Sequence, residues 1–330
     1  MLQALQKCGV PQSGGRPACG YNGGIMKTGT EALPAADADR LESLARELEA
    51  SGEYVVLRRL PGVTPRPWPE GAEPATALMV DVETTGLRSG RDKVIELAVV
   101  PFRYDRRSGV ITEVLPSFSA FNDPGRPIPA EIVKLTGITD EDVRGQRIDA
   151  AAVQALLADA DLVLAHNAGF DRPFLEELFP AFAEKPWACT VADVNWSAES
   201  IRGSKLEYLT MSYGFHFQSH RALDDCMAAV TLLAQDLPVS GGPVLASLLA
   251  NARRRTWRFR ALGAPFEFKD ALKNRGYRWN GTEKFWWREV GDDRRQEEHA
   301  WLAENIYRSR PVPEPIEFSA LERYSSRASS

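Results

Sequence analysis

Three short stretches carry acids where a buried framework has no use for them. In MVDVETTG, Asp81 and Glu83 are two residues apart. On a strand, which the apolar run TALMVDVET indicates, both side chains leave the same face. Carboxylates held side by side raise one another's pKa unless a cation lies between them, and hard oxygen donors in that arrangement suit magnesium or manganese. A solvated strand end that carries two acids explains the pair equally well. In HNAGFD, Asp171 follows a strand and opens a helix, a place where aspartate also serves as a plain N-cap, and His166 and Phe170 read equally well as packing residues.

The third stretch, HRALDD at 220–225, is resolved by helix phase. Leu223, Met227, Val230 and Ala234 form an apolar stripe. At about 100° per residue, Asp224 falls with Thr231 and Gln235 on a polar face, whereas Asp225 falls with Ala229 and Leu232 on a flank that can approach another layer. The phase therefore selects Asp225. His220 lies on the loop before the helix, where an imidazole with a pKa of about 6.5 can take a proton at neutral pH. An exposed loop histidine with no role is the alternative.

The elements that must position these residues follow from the pattern around them. TALMVDVET, KVIELAVVPFRYD and GVITEVLPSFSAF, separated by turn-rich RSGRD and RRSG, predict a meander of three strands. The chain then passes from a helix end into the short strand before HNAGFD, and DRPFLEELF resumes helical spacing with an early proline. WACTVADV predicts another strand, LEYLTMSYG a helix stopped at Gly214, and the residues after HRAL a last helix. Strands mixed with helices in this order predict an α/β domain over 76–238.

Upstream, 1–30 reads as a disordered tail in which Met26 offers a second start, and 31–60 as a small accessory element, a helix with Leu41, Leu44, Ala45 and Leu48 on one face and then a short strand, EYVVLRRL. The Pro-rich stretch 61–75 reads as a stiff linker. Downstream, PVSGGP opens a linker over 239–250, 251–310 reads as a small α+β module, and 311–330 as a tail. Between 251 and 290 there are eleven Lys/Arg, four Asp/Glu and nine aromatics, a local charge of +7 in a chain of net charge −5 that leaves −12 elsewhere. Basic groups that neutralise phosphates and rings that stack bases suit single-stranded nucleic acid, although a small domain also needs aromatics such as Trp257, Phe259, Phe266, Phe268 or Trp287 for its core. Within it, FKDALKNRGYRWNGTEKFWW predicts a helix and a hairpin turning at Asn280-Gly281.

Composition bounds the rest. No segment approaches the ~20 apolar residues of a membrane span, and the N-terminal residues lack a signal-peptide core, so a soluble cytoplasmic protein with no membrane partner is expected. Cys8, Cys19, Cys189 and Cys226 form no CxxC pair, which argues against a disulfide framework or a zinc site.

The order DxE, D, HxxxxD resembles the DnaQ-like 3′–5′ exonucleases of the DEDDh type, epsilon-type proofreading exonucleases included. The motifs are Asp81-Val82-Glu83-Thr84-Thr85-Gly86, His166-Asn167-Ala168-Gly169-Phe170-Asp171 and His220-Arg221-Ala222-Leu223-Asp224-Asp225. KLTGIT at 134–139 is similar to a further family segment, but Leu135 stands where that family has histidine. The resemblance implies a ribonuclease-H-like fold with a central mixed β-sheet flanked by helices. It further implies two divalent ions, Mg²⁺ or Mn²⁺, held by Asp81, Glu83, Asp171 and Asp225, with His220 as general base for a water that attacks the terminal phosphodiester and releases nucleoside 5′-monophosphates. Thr84, Thr85, Gly86, Asn167 and Phe170 would line the 3′-terminal nucleotide. The expected partner is nucleic acid, DNA before RNA, in a polymerase or repair complex. An RNA-trimming nuclease of the same fold and a non-catalytic nucleic-acid-binding protein are the competing readings.

Overall fold

The structure, a computed structural model, describes residues 35–281, 283–308 and 310–325. The expected N-terminal tail, with Met26, and residues 326–330 lie outside them. In chain order the elements are α1 (Ala35–Ala50), β1 (Arg58–Arg59), β2 (Pro74–Thr84), β3 (Val94–Asp105), β4 (Ile111–Val114), β5 (Phe118–Phe121), α2 (Ala130–Thr136), α3 (Asp140–Val143), α4 (Ala150–Ala158), β6 (Leu162–Ala165), α5 (Ala168–Leu178), β7 (Trp187–Cys189), α6 (Leu206–Ser212), β8 (Phe215–His216), α7 (Ala222–Leu233) and α8 (Val244–Ala252). The C-terminal part adds β9 (Thr256–Ala261), α9 (Lys269–Arg275), β10 (Arg278–Asn280), β11 (Phe285–Gly291), α10 (Arg295–Leu302) and β12 (Ile316–Phe318).

The larger sheet runs β4-β3-β2-β6-β7, with β5 also on β3. β2 and β3 are antiparallel, and β6 and β7 join parallel to β2, so the central sheet is mixed. Its central strand β2 is apolar on both faces, as a strand covered on both sides must be. Ala77 and Met79 meet α6, α7 and α8 in one core, while Leu78, Val80 and Val82 meet α4 and α5 in the other. This is the α/β architecture, a mixed sheet flanked by helices, that the sequence led us to expect.

GVITEVLPSFSAF, expected as one strand, is broken into β4 and β5, which occupy successive lengths of the same edge of β3. Pro101 sits at the change-over and its carbonyl accepts from Leu115 N–H at 2.9 Å, so the strand tolerates a residue with no donor where the partner strand is interrupted. WACTVADV is a strand only as far as Cys189, because Asp193 folds back and its carboxylate accepts Cys189 N–H at 2.8 Å.

The largest departure lies in 239–250. The connection from α7 to α8 folds back on itself, Leu237 N–H donating to the Gly242 carbonyl at 2.8 Å, and α8 follows with Val244, Leu245, Leu248, Leu249 and Ala252 buried in the core with α7. The stretch is core helix and not a linker. Residues 61–73 are held against the domain: Val63 packs on the core, Arg66 N–H donates to the Ile111 carbonyl at 3.0 Å, and its guanidinium pairs with Asp236 at 3.0 Å. In α1 the leucines of the expected apolar stripe, Leu41, Leu44 and Leu48, are exposed, and Glu42 and Glu49 turn inward instead, both bound by Arg58.

The C-terminal part is a four-stranded antiparallel sheet, β10-β11-β9-β12, with α9 and α10 on one face. Trp257 and Phe259 are core residues there and Phe268 is partly buried, while Phe266 is exposed. The hairpin forms, but Asn280 pairs with Phe285, so Asn280-Gly281 is not a two-residue turn. Residues 311–325, expected as a tail, form β12 and then cross back to the larger sheet, where Trp187 N–H donates to the Ala320 carbonyl at 2.8 Å.

Candidate active site

Strand alternation places Asp81 and Glu83 on the face of β2 that continues Ala77 and Met79, the face covered by α7. Helix α7 comes close because Ala222, Cys226 and Ala229 are small; the Cys226 thiol reaches the Met79 carbonyl at 3.5 Å. The most buried face of α7 is therefore Ala222, Cys226, Ala229, Val230 and Leu233, with Leu223 and Met227 only partly buried, so the stripe lies to one side of the one read from the sequence. Asp225 lies on the flank of that face and Asp224 is exposed. One carboxylate oxygen each from Asp81, Glu83 and Asp225 lie within 4.8 Å of one another.

Asp171 stands beside this group. It is the fourth residue of α5, behind an N-cap at Asn167 in the left-handed conformation (φ 73°), so the capping role considered for it does not apply. It is 1% exposed, and its Oδ1 accepts Val82 N–H from β2 at 3.2 Å. His220 also has a left-handed backbone (φ 68°). This turn lets the N–H groups of His220 and Arg221 both point at the Asp225 carboxylate, with Arg221 N at 3.0 Å from Oδ2.

The electrostatics are those of crowded acids, with the Arg221 guanidinium at Glu96 too little to balance them. Burial, then the charges of Asp171, Asp225, Glu83 and Glu96, pushes the Asp81 carboxyl well up. Burial pushes Asp171 up as well, against the hydrogen bond from Val82. Glu83 is raised to about 8 by burial and by Asp225 and Glu96, with Arg221 opposing, and Asp225 is raised to about 7 by burial, with the N–H groups of Arg221 and His220 opposing. Such a group cannot ionise fully at neutral pH unless a cation joins it. Its all-oxygen donor set fits a hard divalent ion.

Glu96 was missed in the sequence. It faces Glu83 directly across the β2/β3 pair, is 2% exposed, and accepts Ala222 N–H at 3.2 Å and the Arg221 guanidinium at 3.2 Å. It thereby ties the start of α7, and with it His220 and Asp225, to β3. A glutamate in the middle of the apolar run VIELAVV was the signal available.

The residues expected to line a nucleotide are placed variously. Thr84 and Thr85 are buried, and their hydroxyls already serve the chain: Thr84 Oγ1 donates to the Gly86 carbonyl at 2.6 Å, and Thr85 Oγ1 accepts Lys93 N–H at 3.0 Å and Arg126 Nη2 at 2.9 Å. Gly86 packs against the Asp92 carboxylate so closely that a Cβ would stand 2.6 Å from it. Asn167 is exposed, and Phe170 is half-buried against Phe174, 5.2 Å between ring centroids. His166 bonds Thr190 Oγ1 at 2.6 Å, and burial lowers its pKa to about 4, so it stays neutral. Leu135 is exposed.

The RNase_T family of exonucleases matches residues 78–233, the segment that holds every one of these acids. That segment is an RNase_T-type exonuclease domain. The relatives found for it include the PolC-type DNA polymerase III of Listeria innocua, 34% identical over 167 residues, and that of Bacillus subtilis, 32% identical over 177 residues. These matches cover 48% and 50% of this chain but 11% and 12% of the relatives, so the chain spans a small part of their length. Among solved structures, exonuclease X in complex with 5′ overhanging duplex DNA is 26% identical, covering 48% of this chain and 89% of that one, with a TM-score of 0.37. Escherichia coli exonuclease I in complex with a dA16 oligonucleotide is 18% identical, covering 66% and 51%, with a TM-score of 0.44. Around the exonuclease domain, no helix among the described residues is long and apolar enough to cross a membrane.

Proposed function

We propose that the exonuclease domain is a metal-dependent 3′–5′ exonuclease that shortens single-stranded or frayed DNA from its 3′ end and releases nucleoside 5′-monophosphates. The observation that carries this reading is the convergence of Asp81, Glu83 and Asp225 within 4.8 Å, with Asp171 buried beside them. Two magnesium or manganese ions held by these four residues would polarise the scissile phosphate and acidify a bound water. The chain supplies a fixed donor geometry: Asp81 and Glu83 on a central strand, Asp171 fastened to that strand, and Asp225 held by two main-chain N–H groups. His220 takes a proton from the water as its oxygen bonds to phosphorus and the bond to the 3′ oxygen breaks. Asn167 and Phe170 form the accessible side of the nucleotide site, and Thr84, Thr85 and Gly86 shape its wall through the turn after β2. A DNA substrate and a polymerase or repair complex as partner are supported by the PolC-type DNA polymerases among the relatives.

Oligomers of DNA and RNA labelled at either end, single-stranded or duplex, test this with Mg²⁺, Mn²⁺ or EDTA. Mononucleotide release from the 3′ end of DNA, silenced by EDTA, is expected. Attack from the 5′ end, internal cuts, or release confined to RNA would overturn the reading.

A further inference from the structure

The C-terminal sheet has one face packed and one face with a different composition. Antiparallel register puts Trp257, Phe259 and Val290 on the side of α9 and α10, where they bury with Leu272, Leu302 and Ile306. The same register puts Arg278 of β10, Trp287 of β11 and Arg260 of β9 in one row across three strands on the other face, with Arg258 and Phe318 next to them. Neighbouring strands are ~4.8 Å apart, so the two arginines of the row stand ~10 Å apart with the indole between them.

The charges on this face are unequally satisfied. Arg258 is held by Glu289 at 3.0 Å and lies over the rings of Trp287 and Phe318 at 4.8 and 4.3 Å, so it is built into the face. Arg260 and Arg278 have no carboxylate partner among the described residues. The Arg260 Nε is buried and has no hydrogen-bond partner among the described residues, a condition that costs free energy unless a ligand completes it. Arg278 is exposed, 5.6 Å from the Trp287 ring centre, and lines with Trp287, Gly276, Arg288 and Glu289 a cleft of about 410 Å³.

We propose that this open face is a binding site for single-stranded nucleic acid, with Arg260 and Arg278 taking successive phosphates and Trp287 stacking a base. Planar guanidinium groups match phosphate oxygens in pairs, and a ring flanked by cations accepts any base because every base has a π face. Charge alone would suit a duplex as well; the indole between the arginines favours an unpaired strand. The inference rests on the nuclease reading for its purpose, since it would hold the strand whose end the carboxylates cut.

Binding of the full chain to labelled oligothymidylate, oligouridylate and a blunt DNA duplex, measured in EDTA so that nothing is cut, tests it. Replacing the two unpaired arginines, Arg260→Gln with Arg278→Gln, should weaken single-strand binding about tenfold or more and lower the slope of log K against log salt by ~1.4. Trp287→Leu should weaken it about fivefold or more with the slope unchanged. Loss on either single strand supports the site, and the tighter oligomer assigns the sugar. Unchanged affinity and slope in the double arginine variant would overturn the proposal, as would duplex binding equally tight and equally lost. Hydrolysis of a nucleotide p-nitrophenyl ester should be the same in all variants. A chain that binds through this face but cuts nothing would instead sink the exonuclease reading alone.

Discussion

Removing divalent cations should make this protein less stable as the pH rises, the reverse of the usual behaviour of carboxylates. Glu83 is raised from 4.5 to about 8 and Asp225 from 3.8 to about 7. A carboxyl whose folded pKa is raised binds its proton more tightly when folded. Its contribution to stability is therefore fully present below the ordinary value and is lost as the pH climbs through 7 and 8. At ~1.36 kcal/mol per tenfold in proton affinity, Glu83 alone corresponds to about 5 kcal/mol and Asp225 to about 4. The two do not add, because ionising one raises the other, and both are partly exposed, so a combined loss of about 3–5 kcal/mol between pH 5 and 8.5 is the reasonable scale. That is on the order of 10 °C in Tm. Bound Mg²⁺ or Mn²⁺ offsets most of the loss, restoring about 2.7 kcal/mol at a hundred times its Kd. Thermal unfolding in EDTA and in Mn²⁺ across this pH range reads both effects, with Asp81→Asn as control. In EDTA at pH 8.5 this variant should be more stable than the native chain, since it relieves the repulsion, and it should gain less from Mn²⁺. A flat pH profile in EDTA, or equal stabilisation by Mn²⁺ in both proteins, would refute the reasoning.

Other consequences concern the supports of the site. Glu96→Gln keeps the shape but loses the charge facing Arg221, so kcat should fall about tenfold or more with KM little changed, at a stability cost of about 1–2 kcal/mol; normal kcat would remove Glu96 as the residue that positions α7. Arg172 is fully buried next to Asp171, pairs with Glu176 at 2.7 Å and donates to the carbonyls of Leu321 and Arg323 at 2.6 and 2.7 Å. Arg172→Ala should cost about 3–5 kcal/mol by removing the guanidinium from the largely buried Glu176 carboxylate and from these carbonyls, and limited proteolysis should then cut between 311 and 325. Leu248→Ala should destabilise by about 2–5 kcal/mol if α8 is core, and by almost nothing if 239–250 is a linker; urea unfolding decides.

What could be read from the sequence was whatever side-chain pattern records. The apolar runs TALMVDVET and KVIELAVV marked the two central strands, and the DxE, D and HxxxxD spacing marked the acids that the fold draws together. What could not be read was held by main chain or by exchange of one face for another. Residues 319–325 attach through their own carbonyls to Arg172 and Trp187 and through Arg323 to Asp193, leaving no periodicity to find. Helix α8 did carry a pattern, Val244, Leu245, Leu248, Leu249 and Ala252, but the GGP before it reads as the end of a domain. In α1 the three leucines are exposed and Glu42 and Glu49 meet Arg58, an arrangement that hydrophobic periodicity does not record. These attachments also mean that deleting everything after 250 would strip the strap from α5, so the single-strand site is better tested by point substitution.

The doubled aspartate of α7 offers the most direct test of the central claim, that these carboxylates form one catalytic cation site. Asp224 and Asp225 are neighbours of identical chemistry, yet only Asp225 lies within 4.8 Å of Asp81 and Glu83. Rates of 3′-terminal nucleotide release with Mg²⁺ should fall ~100-fold or more in Asp225→Asn and stay near the native rate in Asp224→Asn. An active Asp225→Asn beside a dead Asp224→Asn would contradict it.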